Sequence, residues 1–147
     1  APHWDAEARG AIFGLTFDAT GAHLARAALE AVADQTVDLV EAMRADGAKR
    51  PPEVRVDGGM AANDWFCQFL ADMLTAPVER PANLETTALG AAFHAGLGAG
   101  LWNGLDALPD PSAGGTRFEP RMGAADRERL LEGWRDALKR TLSTARA

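Results

Sequence analysis

Val54-Arg55-Val56-Asp57-Gly58-Gly59-Met60-Ala61-Ala62-Asn63 is the stretch that decides how this chain folds. A short β-type run stops at Asp57 and two glycines follow. A helical pattern then opens through Asn63, Asp64, Phe66, Phe69 and Leu70. Strand, diglycine turn and helix start make the unit with which many α/β proteins hold a nucleotide. Gly58 and Gly59 carry no Cβ and accept positive φ, so a ligand can come close to the main chain there. Free N–H groups at the following helix start favour an anion nearby. Asn63, just ahead of an apolar-periodic helix, is also the residue type that caps one. Capping and ligand contact coexist there only if different atoms serve each. Taken alone, Asp-Gly-Gly is an ordinary turn, and its meaning rests on its neighbours.

Upstream, Arg9 to Thr16 reads as an extended segment and is expected to form a strand. Thr20 or Asp18 caps a helix running to about Arg44. Leu24, Ala27, Ala28, Ala31, Val32, Gln35, Leu39 and Met43 fall on one stripe of it, with Glu30, Asp34, Asp38 and Glu41 elsewhere. Gly47 ends this helix and Pro51-Pro52 stiffens the entry to the strand at 53–57. Downstream come a helix over about 63–74, a short strand from Pro77 to Arg80, and a helix from a Thr86 cap to about Gly98. Residues 100–123, rich in Gly, Pro and Asp, read as an irregular wrap. A last helix over about 124–143 places Leu130, Leu131, Trp134, Leu138 and Leu142 on one face. Strands alternating with helices predict an α/β layer. Three short strands make a thin sheet for so much helix, and the arrangement reads as half of a larger unit.

Composition narrows the choice of function. The 147 residues are 47% hydrophobic and 24% charged, ordinary for a globular protein with a real core. A net charge of −6 without a basic stripe argues against a nucleic-acid surface. No apolar run approaches the roughly 20 residues of a membrane span. The N-terminus has no signal-like stretch and no initiator Met, so a piece of a longer protein is expected. A single cysteine, Cys67, permits no internal disulfide and fits a cytoplasmic setting. Between Phe66 and Phe69 it reads as a buried small hydrophobe. His3, His23 and His94 lack ligand spacing, and no metal-binding residue is assigned.

Three stretches together resemble the FGGY family of carbohydrate kinases. The first is Gly10-Ala11-Ile12-Phe13-Gly14-Leu15, then His23-Leu24, then Ala27-Ala28-Leu29-Glu30, which matches the family's C-terminal signature at each constrained position. The second is Val56-Asp57-Gly58-Gly59 with Asn63. The third is Pro77-Val78-Glu79-Arg80-Pro81 followed by Thr86-Thr87-Ala88-Leu89-Gly90-Ala91-Ala92. Ala1-Pro2-His3-Trp4-Asp5, Gln35-Thr36, Asp38 and Glu41-Ala42-Met43 point within the family to the members that phosphorylate glycerol.

The resemblance implies an actin-like (ribonuclease H-like) ATPase fold, of which residues 1–147 form the C-terminal part of the second, nucleotide-binding domain. It implies ATP or ADP as ligand and Mg²⁺ as cofactor, with no Mg²⁺ ligand assigned here. Gly59 offers its N–H to the α-phosphate, Asn63 bonds the adenine edge, and Gly58 keeps the turn open. Glycerol and the catalytic base belong to an N-terminal portion outside this chain, so no catalytic residue is assigned and the isolated chain is expected to be inactive. Asp57 fits ribose, water or a plain chain turn equally. Gly90, Ala91 and Ala92 are expected to let their helix approach the sheet closely. The four tryptophans are expected to serve packing. Unpaired strand edges at 9–16 or 53–57 predict a homo-oligomer. The competing readings are a kinase for a pentulose or another polyol, and a non-catalytic nucleotide-binding or interaction module.

Overall fold

The structure is a computed structural model that describes residues 2–111 and 113–143. Ala1, part of the Ala1–Asp5 match, and Ser112, within the 100–123 wrap, lie outside the described residues, as do residues 144–147. The elements run α1 (Gly21–Ala45), β1 (Val54–Arg55), a 3₁₀ turn (Gly59–Ala62), α2 (Asp64–Leu74), β2 (Val78–Arg80), α3 (Thr86–Gly98), a second 3₁₀ turn (Leu105–Ala107), β3 (Thr116–Phe118) and α4 (Ala124–Thr141). The chain divides into two compact units, Ala1–Arg50 with Asp72–Thr75 and Pro120–Ala147, and Pro51–Ala71 with Ala76–Glu119.

The first unit is helical. Thr20 starts α1: its N–H donates to Nδ1 of His23 at 3.1 Å, a nitrogen that also lies 2.9 Å from Thr20 Oγ1. The face of α1 that becomes buried carries Ala33, Asp34 and Val37. This corrects the expected stripe, since Leu24, Leu39 and Met43 remain 41%, 43% and 52% exposed. The helix is apolar over more of its circumference than α4 covers, so periodicity alone does not say which apolar face is packed. On α4, Leu131 is fully buried, and Trp134 donates its indole N–H to Asp38 Oδ2 at 2.9 Å. His3 Nε2 lies 3.1 Å from the same oxygen, fastening the first residues to α1. Asp72 Oδ1 accepts from the N–H groups of Arg121 and Met122, and Arg127 Nε donates to the Met73 carbonyl.

Residues 9–16 form no strand, contrary to expectation; they are extended to irregular and mostly exposed. A β-type sequence becomes a strand only when a neighbour accepts its ladder bonds, and no described segment does so.

The second unit holds the sheet, in order β1-β2-β3. β1 pairs parallel with β2 (Val54↔Val78), and β2 antiparallel with β3 (Val78↔Phe118). β3 lies inside the segment expected to be irregular; three residues are too few to show alternation. One face of the sheet sets Val54, Val78 and Phe118 in a row, and Val78 and Phe118 are buried with Phe66, Cys67, Phe69 and Leu70 of α2. The other face sets Arg55, Glu79 and Arg117 in a row, so charges alternate across the strands. Helix α2 is tied down by Gln68 Nε2 donating to the Glu119 carbonyl at 2.8 Å.

In α3 the expected roles shift. Thr86 is the first helical residue, with Glu85 at the cap position and no side-chain capping bond. A Cβ on Gly90 would meet nothing within 4 Å, so that glycine does not mediate a close approach. Gly96 does: a Cβ there would fall 2.1 Å from Cζ3 of Trp102, whose ring meets Phe93 edge-on at 5.7 Å.

Candidate functional site

The turn after β1 is built by its hydrogen bonds. Val56 N–H donates to the Glu79 carbonyl at 2.9 Å, carrying the parallel ladder one residue past β1. Gly58 sits at φ +80°, ψ 177°, a conformation open to glycine and costly for residues with a Cβ. Its N–H donates to the Leu84 carbonyl at 3.1 Å, anchoring the turn to the segment before α3. Gly59 opens the 3₁₀ turn, and its N–H has no partner among the described residues. A Cβ on Gly59 would meet nothing within 4 Å, so the space in front of this backbone is open.

Asn63 is the hinge between the 3₁₀ turn and α2. Its Oδ1 accepts the Phe66 N–H at 3.1 Å, and its carbonyl accepts the Cys67 N–H at 3.1 Å. The capping role therefore uses the oxygen, and the Nδ2 amide stays available at an exposed position. The structure thus brings Gly58, Gly59 and Asn63 onto one short turn, where Gly59 offers an unpartnered main-chain N–H and Asn63 a side-chain donor.

Arg80 braces this turn from β2. Its guanidinium donates to the Ala61 carbonyl at 2.9 Å and to Asp64 Oδ1 at 2.6 Å, and lies 5.3 Å from the Phe118 ring centre. Those contacts fix both sides of Asn63. Beneath it, Cys67 is fully buried and directs its Sγ to the Ala61 carbonyl at 3.2 Å. Burial pushes its thiol pKa up, which suits packing and not nucleophilic chemistry.

Beside the turn opens a cleft of about 430 Å³, lined in part by Val56, Asp57, Arg80, Pro81, Thr86 and Thr116. Arg55, Glu79 and Arg117 also line it from the charged face of the sheet. Arg117 bonds Glu119 at 2.7 Å, Glu79 at 2.6 Å and Glu53 at 3.0 Å, and these bonds drive its pKa further up. The same network, through Arg117 and then Arg55, lowers the Glu53 carboxyl pKa. The cleft residues Arg80, Thr86, Thr116 and Arg117 are not evident as a group in the sequence. They meet only because β3 pairs with β2, and Arg55, Val56 and Asp57 link the cleft to the Val54–Asn63 stretch.

Among the described residues no three His, Cys, Asp or Glu side chains gather to hold a metal ion. No described helix is long and apolar enough to cross a membrane.

Comparison with known proteins places this geometry in context. The C-terminal domain of the FGGY family of carbohydrate kinases matches residues 1–99. The glycerol kinase of Gluconobacter oxydans is 57% identical over 143 residues, covering 97% of this chain and 28% of that protein. The glycerol kinase of Rhizobium meliloti is 54% identical over 147 residues, covering 99% of this chain and 30% of the relative. Among solved structures, Plasmodium falciparum glycerol kinase with ADP superposes with a TM-score of 0.77 at 34% identity, covering 98% of this chain and 29% of that one. Xylulose kinase from Rhodospirillum rubrum superposes with a TM-score of 0.71 at 28% identity, covering 91% of this chain and 28% of that one. The chain thus spans less than a third of the length of these relatives.

Proposed function

This chain belongs to the FGGY family of carbohydrate kinases, and on that premise we propose that it is the nucleotide-binding C-terminal portion of a glycerol kinase. The whole enzyme transfers the γ-phosphoryl group of ATP to glycerol, giving glycerol 3-phosphate and ADP. The observation that carries this reading is identity of 57% to a glycerol kinase over 97% of the chain, well past the residues that the family's domain matches. Xylulose kinases share the fold at 28% identity, so the fold alone does not favour glycerol over a pentulose.

In this reading the chain's own contribution is binding and orientation. Gly59 N–H meets the α-phosphate, Gly58 holds the turn in the one conformation that presents it, and Asn63 Nδ2 donates to an acceptor on the adenine edge. Arg80 keeps Asn63 in place through Ala61 and Asp64. Phosphoryl transfer of this type depends on positioning and on charge stabilisation, and a bound Mg²⁺ would add positive charge beside the phosphates. The described residues offer no cluster fitted to that ion, and none is assigned to it. Glycerol and the general base are assigned to the part of the enzyme outside this chain. The enzyme is assigned to the cytoplasm, where its nucleotide is found.

A coupled ADP-release assay tests the reading. The chain alone is expected to give no glycerol-dependent ADP above a no-protein control, because general-base catalysis needs a base within hydrogen-bond reach of the acceptor. Fused in place of the C-terminal portion of the Gluconobacter oxydans glycerol kinase, it is expected to support glycerol-dependent turnover that Gly59→Val abolishes. A folded fusion without glycerol-dependent turnover, or turnover by the chain alone, would contradict it.

A further inference from the structure

Around the cleft, four carboxylates are matched to guanidinium groups. Glu53 pairs with Arg55 and Arg117, Glu79 with Arg117, Glu119 with Arg117, and Asp64 with Arg80. Asp57 lines the same cleft as those three arginines, yet it makes no hydrogen bond or ion pair among the described residues. Its backbone is nevertheless fixed on both sides, by Val56 N–H to the Glu79 carbonyl and by Gly58 N–H to the Leu84 carbonyl. A carboxylate held on a pinned turn, beside arginines that all have other partners, is preorganised for something outside the chain.

We propose that Asp57 reads the ribose of the bound nucleotide, its carboxylate accepting hydrogen bonds from the 2′- and 3′-hydroxyl groups. The inference rests on the nucleotide reading of Gly59 given above. Asp57 precedes Gly59 by two residues, a span of at most about 7 Å. The sugar hangs from the α-phosphate by only O5′ and C5′, so a phosphate at Gly59 N–H brings the ribose within reach of Asp57. An ionised carboxylate is acceptor-only and has two oxygens, which matches the two donors of a vicinal diol. Such charge-assisted bonds are stronger than neutral ones. The half-buried Thr86 adds a hydroxyl to the same cleft, and Val56 and Pro81 add apolar surface. At about 430 Å³ the cleft lies within the range of small-molecule sites.

The test is calorimetric titration of the chain with ADP and with 2′-deoxy-ADP. Wild type is expected to prefer ADP about tenfold, the size of one hydrogen bond to a charged group. Asp57→Ala is expected to bring that preference within about twofold, and Asp57→Asn to leave an intermediate value. Circular dichroism of both variants reports their folding, and the Asn variant keeps nearly the same shape. An unchanged preference in the Ala and Asn variants, or no preference in wild type, overturns the ribose assignment. Gly59→Val separates the two levels. If it weakens ADP while the Asp57 variants change nothing, only the ribose assignment fails. If it leaves ADP affinity unchanged, or wild type shows no saturable binding, the nucleotide reading fails and the ribose assignment with it.

Discussion

Asp34 is the residue least at ease in this molecule. It is 8% exposed on the packed face of α1, and its Oδ1 has no hydrogen-bond partner among the described residues. Burial, and then the neighbouring charges of Glu30 and Asp38, raise its pKa to about 7. Those neighbours are committed elsewhere, Glu30 to Arg26 and Asp38 to His3 and Trp134. In the unfolded chain an aspartate releases its proton near pH 4. Between about pH 4 and 7 the folded state therefore holds a proton that the unfolded state has lost, so stability falls as pH rises through that window. Above pH 7 the penalty is fully present, on the order of 2–4 kcal/mol. Asp34→Asn cannot ionise and is expected to be more stable than wild type at pH 8, with the advantage shrinking toward pH 4. Urea denaturation at pH 5 and pH 8 checks this. An equal pH dependence in both proteins would mean that Asp34 is solvated in the folded state.

At the scale of elements, helices are legible throughout and strands only in part: those expected at 53–57 and 77–80 appear as β1 and β2, whereas 9–16 forms none and β3 is unforeseen. The expected helices over 63–74, Thr86–Gly98 and 124–143 appear as α2, α3 and α4 within two residues at each end, because periodicity and termini are local properties. The diglycine turn is legible for the same reason: its conformation depends on Gly58 itself. Which face of α1 is buried, and whether 9–16 pairs, depend on partners far away in sequence, and both expectations are overturned. Thr116-Arg117-Phe118 is a strand only because Val78 and Glu79 offer it a ladder, so the cleft that β3 helps to form is invisible in the sequence. The unused apolar surfaces have a consequence. Leu39 and Met43 on α1, with Ile12, Leu15 and Phe17 before it, are all at least 43% exposed. β1 and β3 are sheet edges. Exposed apolar surface and open strand edges favour self-association. Light scattering at micromolar concentration is expected to report a dimer or larger species. A clean monomer that binds no apolar dye would show that these surfaces are inert.

For the molecule as a whole, we infer that these 147 residues carry the base and α-phosphate contacts of a kinase whose reacting groups lie elsewhere. Nucleotide binding without turnover is the signature of that division. The two contacts are separable, because Asn63 caps α2 with Oδ1 and would meet adenine through Nδ2. Asn63→Ser keeps an oxygen for the cap and removes the amide. Loss of one hydrogen bond costs about 0.5–1.5 kcal/mol, a several-fold weakening. Gly59→Val puts a branched side chain into the open space where the phosphate would lie, and is expected to cost more. Isothermal titration of wild type, Asn63→Ser and Gly59→Val with ADP is the most direct test. Weak saturable binding by wild type, several-fold weaker binding by the Ser variant and weaker still by the Val variant is the predicted order; equal affinity in all three, or no saturable binding by wild type, would contradict the account.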